Sequence, residues 1–370
     1  METLRWLCLL FALAAVNTTH AYHYPWDQGH DTTDWGDPEQ TGPDDDPNND
    51  PCNGSSSPVY ARSGDLVWSE TDVALPGRPA LSLSRTYNSR DPRVGLFGNG
   101  WLSGWEVSLF KIIDPDQQTQ YTFKCANGKR YEYTYDGANY VPPESRNDRI
   151  VENTDSVELI ALDGSKRVFD TSGRLISQID QAGNTLNFTQ TAGALTRVAD
   201  DHGRYLQLSY GSNGYVTSVT DHTNRAWQYA YDGDGNLTGI TDPLGNTRAF
   251  EYQAYASPES GQTYQQLTRI TDESGVVVIA VTYSELKVAS YTEQENSYTY
   301  TRNEASSRVV KQDRQGSSWT VYYDESGRVI RKDDPLSRIM QMAYTNSRVS
   351  QTTDELGEVW KTDYDGQNRM

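Results

Sequence analysis

From about residue 150 onward, short stretches of alternating apolar and polar residues are broken roughly every ten residues by an Asp/Gly cluster. In Arg225-Ala226-Trp227-Gln228-Tyr229-Ala230-Tyr231 the aromatics Trp227, Tyr229 and Tyr231 fall on one face of a period-two strand. The stretches that return, Val216 to Val219 and Leu237 to Ile240, space their apolar residues by three, as a β-bulge would require. Breaks this frequent leave no room for a helix of average length, about 11–12 residues. The pattern predicts an all-β chain of repeated antiparallel hairpins forming one curved sheet, preceded by a smaller β domain.

The breaks recur at a fixed period. An Asp-x-x-Gly signal stands at Asp180 with Gly183, Asp200 with Gly203, Asp242 with Gly245, Asp272 with Gly275, Asp313 with Gly316 and Asp354 with Gly357. Relaxed copies begin at Asp221, with Asn224 in the glycine's place, and at Asp334, with Ser337 there. The steps between copies are 20 or 21 residues, apart from one of 30 and one of 41. The longest hides a worn copy at Thr292, and the step of 30 carries an insertion, Ala254 to Gln262, read as a surface loop. A second series lies half a period away, at Phe169 to Gly173, at Asp232 to Gly235 and at Asp324 to Gly327. Asp at the first position of such a turn can accept backbone N–H bonds, and Gly at the fourth can take the left-handed angle of a bulged loop. A period near 20 residues marks a repeat architecture, here about ten repeats over residues 150–370 with the last one incomplete.

Upstream the character changes. Residues 59–149 are denser in apolar residues, and Leu81, Leu83 and Arg85 alternate there with Ser82, Ser84 and Thr86. Gly95 to Trp101 is a glycine-punctuated turn presenting two aromatics. It lacks the strand-to-helix context and the Lys of a phosphate loop, so it reads as packing. Residues 22–58 carry nine acidic side chains and no Lys or Arg, and read as a disordered acidic linker. The cluster Asp44, Asp45, Asp46, Asn48 and Asp50 has the ligand chemistry of a calcium loop. Pro47 in its middle and the lack of a following bidentate Glu favour a solvated linker. Residues 1–21, with Arg5 ahead of the apolar run Trp6 to Val16, read as a signal peptide cleaved between Ala21 and Tyr22. That run is too short to span a bilayer, and no second one follows. The mature chain is therefore expected to be secreted or at the cell surface, with no transmembrane segment. Cys52 and Cys125 remain, as a disulfide or as two free thiols.

Composition narrows the chemistry. The 25 Tyr and 9 Trp suit a sheet that is wet on one side, and an aromatic share of 11% is too high for a disordered chain. A net charge of −19 leaves no basic surface for nucleic acid. His202 and His222 each follow an Asp at the same place in successive repeats, as turn residues rather than an acid–base or metal pair. The plentiful carboxylates recur with the period, which is turn chemistry. Neither cofactor nor catalytic residue is expected.

The stretch Tyr231 to Asn246 resembles the repeat unit of the Rhs/YD-repeat family almost throughout. The segments Ser63-Gly64-Asp65, Leu75-Pro76-Gly77, Arg85 to Arg90 and Gly98 to Trp101 resemble the block that opens the Rhs region. The resemblance implies a β-sheet spiralling into a hollow shell that in many members encloses a C-terminal toxin released by self-cleavage. The family's closing block, which carries the cleavage carboxylates, finds no counterpart, nor does a toxin domain. An export signal stands where members linked to type VI secretion carry a spike-binding module. The chain is thus expected to be a non-catalytic front part of a shell, its partner a toxin cargo. The alternative is a surface adhesin whose aromatic sheet binds glycans. As an open piece of shell, it is also expected to self-associate through its terminal sheet edge.

Overall fold

The computed structural model describes residues 58–113, 119–126, 130–143, 146–345, 348–354 and 356–363. The Ala21/Tyr22 cleavage site, the acidic linker with Cys52 and the last returning strand lie outside them. The described residues form β-strands almost throughout, with a 3-10 turn at Glu304–Ser306. None of their helices is long and apolar enough to cross a membrane.

The repeats build one antiparallel sheet of 21 strands, from Arg149–Glu152 to Val359–Lys361, in which every strand pairs with those before and after it. One face is apolar. Leu208 lies opposite Val219, and Val219 opposite Trp227, all buried. Such cross-strand pairs are the unit of sheet stabilisation. The other face carries Ser209, Ser218 and Gln228.

The three-residue spacing of the returning strands has a simple cause. Ala230 pairs with Gly239 and Tyr231 with Leu237, so Thr238 is an extra residue. The bulge turns Leu237 and Ile240 to the same buried face. The same register shift recurs between Ser209 and Tyr210 and between Tyr322 and Tyr323.

Each Asp of the repeat series closes its own turn. At Asp180, Oδ1 accepts the N–H groups of Ala182 and Asn184 at 2.9 Å, Oδ2 accepts the Asn184 amide at 2.7 Å, and the carbonyl accepts the N–H of Gly183 at 3.0 Å. Asn224 and Ser337, which replace Gly in the relaxed copies, also take positive φ, 65° and 60°.

Two readings are corrected. Thr292 does not open an Asp/Gly-type turn: it pairs with Ser297, and the chain reverses through the two residues Gln294 and Glu295. The insertion at 254–262 is not simply a loop, because it lengthens a hairpin in which Ala254 pairs with Gln265 and Ala256 with Thr263. Only Ser257 to Gln262 reverse the chain. The strand-favouring Tyr252 and Tyr255, the latter paired with Tyr264, extend the strand where a loop was expected.

The opening region makes smaller sheets. Val67–Leu75, Leu81–Asn88 and Trp101–Ser103 form one of three strands. A ribbon joins Val94–Gly95 to Gly98–Asn99, and a four-stranded sheet starts at Ser108–Ile113.

The turn assignment separates two glycines. Gly235 has a φ of +85°, and a Cβ there would lie 2.5 Å from the Tyr215 hydroxyl. Gly239 sits within a strand, where a Cβ would meet nothing nearer than 3.6 Å. Gly235→Val is expected to destabilise by roughly 1–3 kcal/mol, and Gly239→Val to be near neutral, in urea unfolding. Equal losses would refute the turn register.

Candidate functional site

In the strand Leu81–Asn88 the buried row runs Leu81, Leu83, Arg85, Tyr87. An arginine in an apolar row needs partners, since a lone buried charge is too costly to keep. The neighbouring strand supplies them. Arg85 Nε donates to Asp72 Oδ2 at 2.6 Å, and Nη2 donates to Asp72 Oδ1 at 2.9 Å and Glu70 Oε2 at 3.0 Å. Its guanidinium also lies 4.4 Å from the Trp101 ring and 5.5 Å from that of Phe250. Burial alone would lower the pKa of Arg85. Asp72 and Glu70 outweigh it and hold the charge above the usual arginine range.

Both acids also reach the repeat sheet. Tyr229 donates its hydroxyl to Asp72 at 2.9 Å, and Arg248 Nη1 donates to Glu70 at 2.7 Å. The cluster fastens the opening region onto the apolar face of the sheet. Removing one member of such a buried group costs about 3–5 kcal/mol.

Around it the opening segment makes a series of specific bonds. Tyr87 donates its hydroxyl to the Gln265 carbonyl at 2.7 Å and accepts the Leu267 N–H at 2.8 Å. Trp101 Nε1 donates to the Tyr252 hydroxyl at 2.7 Å. Asn99 donates its N–H to the carbonyl of Gly235, and Val216 donates its N–H to that of Leu96. Gly98 through Trp101 is therefore packing, as its sequence suggested, and its partners are repeat turns. Glu106 accepts the N–H groups of Leu96 at 2.9 Å and Ser103 at 2.6 Å. Burial pushes its carboxyl up to about 7, against the pull of those N–H groups and of Arg93.

A second device joins repeat to repeat. Tyr231 donates its hydroxyl to the carbonyl of Val216, the bulge-side residue of the preceding hairpin, at 2.7 Å. Tyr283 does the same to Leu267 at 2.8 Å, and Tyr344 to Val329 at 2.7 Å. Tyr210 bonds Leu195 likewise. These tyrosines thus serve the previous repeat, and at Tyr231-Asp232 the neighbouring Asp serves its own turn.

The turn residues named from the sequence lie at the two rims of the sheet and are not gathered into one site. Gly203, Gly245, Gly275, Gly316 and Gly357 are turn residues, as expected of them. Each has the positive φ expected of its turn, between 83° and 89°, but a Cβ there would meet nothing within 4 Å. They shape the chain reversal and line no site, because a rim turn points away from the packed face. Gly235 differs, since its carbonyl receives the opening segment. His202 and His222 also sit in rim turns.

Cys125 is buried and disulfide-bonded, with its partner outside the described residues. The sequence reading missed Glu70, Asp72 and Tyr229. The signal for them was Arg85 itself, a charge in the buried phase of a period-two strand. Among the described residues no group of three or more His, Cys, Asp or Glu is placed to hold a metal ion. The arrangement binds the chain to itself.

A sheet of tandem hairpins, turned by Asp and Gly and bolted by Tyr to the hairpin before, defines a structural β-repeat protein. The family described as RHS Repeat matches residues 212–247 and 231–255, and a domain of unknown function, DUF6531, matches residues 56–133. The chain is an Rhs/YD-repeat protein. The tRNA nuclease WapA of Bacillus subtilis is 32% identical over 136 residues, 36% of this chain and 6% of its own length. The double-stranded DNA deaminase toxin A of Burkholderia cenocepacia is 24% identical over 270 residues, 72% of this chain and 18% of its own. The chain therefore spans only a small part of these relatives. A crystal structure of TcdB2-TccC3-Cdc42 aligns over 81% of this chain and 21% of its own at 8% identity and a TM-score of 0.37, too loose a likeness to carry an argument.

The turn carboxylates set an acid limit. Burial would raise the pKa of Asp221, but hydrogen bonds from Thr223 and Arg225 outweigh it and hold the carboxyl at about 2. Its folded pKa lies below its unfolded one, so its contribution is complete above about pH 4 and lost as pH falls through about 2. Thermal midpoints are expected to fall over that window. Asp221→Asn is expected to lower the midpoint at neutral pH and flatten the acid slope. An unchanged slope would show that Asp221 contributes nothing.

Proposed function

We propose that the chain is a non-catalytic wall segment of an exported Rhs protein, built to enclose and present a toxin carried C-terminal to it. Export would follow from the signal peptide ending at Ala21. The observation that carries this reading is the 21-stranded sheet, whose apolar face is covered by the chain's own opening segment. A sheet extended by one hairpin per repeat enlarges a surface and adds no reactive group. Likeness to a deaminase toxin over 72% of this chain supports a cargo of that general kind.

The test uses the natural reading frame with whatever follows residue 370. Under limited proteolysis, the part beyond the repeats should persist as long as the wall is intact. It should be digested in a variant, Arg85→Met, that loosens the covered face. Three results would overturn the proposal: a frame with nothing beyond the repeats, a downstream part digested at the same rate in both proteins, or specific binding of residues 22–370 on a glycan array, which favours the adhesin.

A further inference from the structure

The opening segment begins on a part of the sheet far downstream of itself. The carbonyl of Ala61 accepts Arg302 Nε at 2.9 Å, and that of Gly64 accepts the Val288 N–H at 2.8 Å. Tyr87 is held at Gln265 and Leu267, Trp101 at Tyr252, Asn99 at Gly235, Leu96 at Val216 and Leu109 at Gly173. The segment's first residues seat farthest downstream, at Arg302 and Val288, and Leu109 seats farthest upstream, at Gly173; between them Glu70 and Asp72 reach Arg248 and Tyr229, Leu75 and Pro79 reach Arg204, and Tyr87 returns to Gln265 and Leu267. Its first residues meet a part of the sheet about 240 positions downstream (241 between Ala61 and Arg302).

The two ends are held differently. The late part of the segment bonds backbone groups that any repeat offers, such as the carbonyls of Gly173 and Gly235. Ala61, Gly64 and Tyr87 bond groups found where the repeat is irregular, as does Trp101 at Tyr252. Tyr252 stands in a lengthened hairpin, and Leu267 and Gln265 lie in its other strand. Arg302 replaces the tyrosine of the regular repeat. Its Nη1 donates to the Val288 carbonyl at 2.6 Å, the bond a Tyr hydroxyl makes elsewhere, and this leaves Nε for Ala61. The departures from the 20-residue period, between Asp242 and Asp313, thus coincide with the seats of Ala61, Gly64 and Tyr87.

We propose that these irregular repeats are the address for the chain's own opening segment, an internal strap whose first residues, Val59–Gly64, seat last. Neighbouring hairpins close short loops, whereas the strap's first bonds close one of about 240 residues, and long loops are slower and costlier to close. The first part of the chain made is then the last to lock. The sheet completes its cover only when residues up to Arg302 are in place. Chain leaving in N-to-C order therefore lacks the partners of its own strap.

Hydrogen exchange on the full chain tests this. Arg302→Tyr restores the regular repeat and keeps a donor for Val288, but loses Ala61. Exchange at residues 60–67 and at the Val288 amide is expected to rise at least tenfold, while strands Tyr205–Tyr210 and Val216–Asp221 keep their protection. Gly64→Val, on the strap side of the same seat, is expected to give the same local pattern. In wild-type refolding with pulsed exchange, residues 60–67 should gain protection after those two strands. Unchanged exchange at 60–67 in both variants would overturn the proposal. So would loosening of the whole sheet or loss of folded protein in both, or protection of 60–67 ahead of the repeats.

Discussion

The fold depends on a bond from one repeat to a carbonyl beside the β-bulge of the repeat before it. Most returning strands carry an extra residue just after the turn, and the bulge turns two apolar residues to the same face. A bulge locally disrupts the ladder, and a buried carbonyl left unbonded costs about as much as a lost hydrogen bond. At Leu195, Val216, Leu267 and Val329 a tyrosine one repeat further on supplies the donor. Repeat n is thus incomplete without repeat n+1. That coupling makes the array one sheet rather than a string of marginal hairpins, each too small to stand alone.

The opening segment solves a different problem. A one-sided apolar sheet needs a cover, and a cover made only of aliphatic side chains could slide. The buried Arg85, with Asp72 and Glu70, cannot: its partners reach Tyr229 and Arg248 at fixed places on the sheet. A buried ion cluster is a weak source of net stability, but a shifted register would strand its charges. Such a cluster fixes position. Arg302 acts likewise at the other end, by serving a bulge and the strap with one guanidinium.

Much of this was legible in the sequence, because turn chemistry is local. Asp180 and Gly183 close a turn with bonds that span four residues, and the bulge shows in the spacing of Leu237 and Ile240. The strap was not legible, since its bonds join residues 64 to 241 positions apart and no local pattern encodes them. The irregular repeats were read as wear. Thr292 looked like a degraded turn, and 254–262 looked like a loop, because a regular period makes every departure look like decay. Their reason lies in the segment that docks on them. Arg85 was visible in the alternation of its strand, but its partners were not.

The forward bond from tyrosine to the preceding bulge is the central claim, and Tyr231→Phe tests it most directly. Phenylalanine keeps the ring and removes only the donor for the Val216 carbonyl. Urea unfolding of the full chain should show a loss of roughly 1–3 kcal/mol. Tyr205→Phe, on the opposite face where Arg197 lies 3.7 Å over the ring, should lose little. Equal stability of Tyr231→Phe and wild type would contradict the account, because it would mean the bulge carbonyl needs no partner from the next repeat.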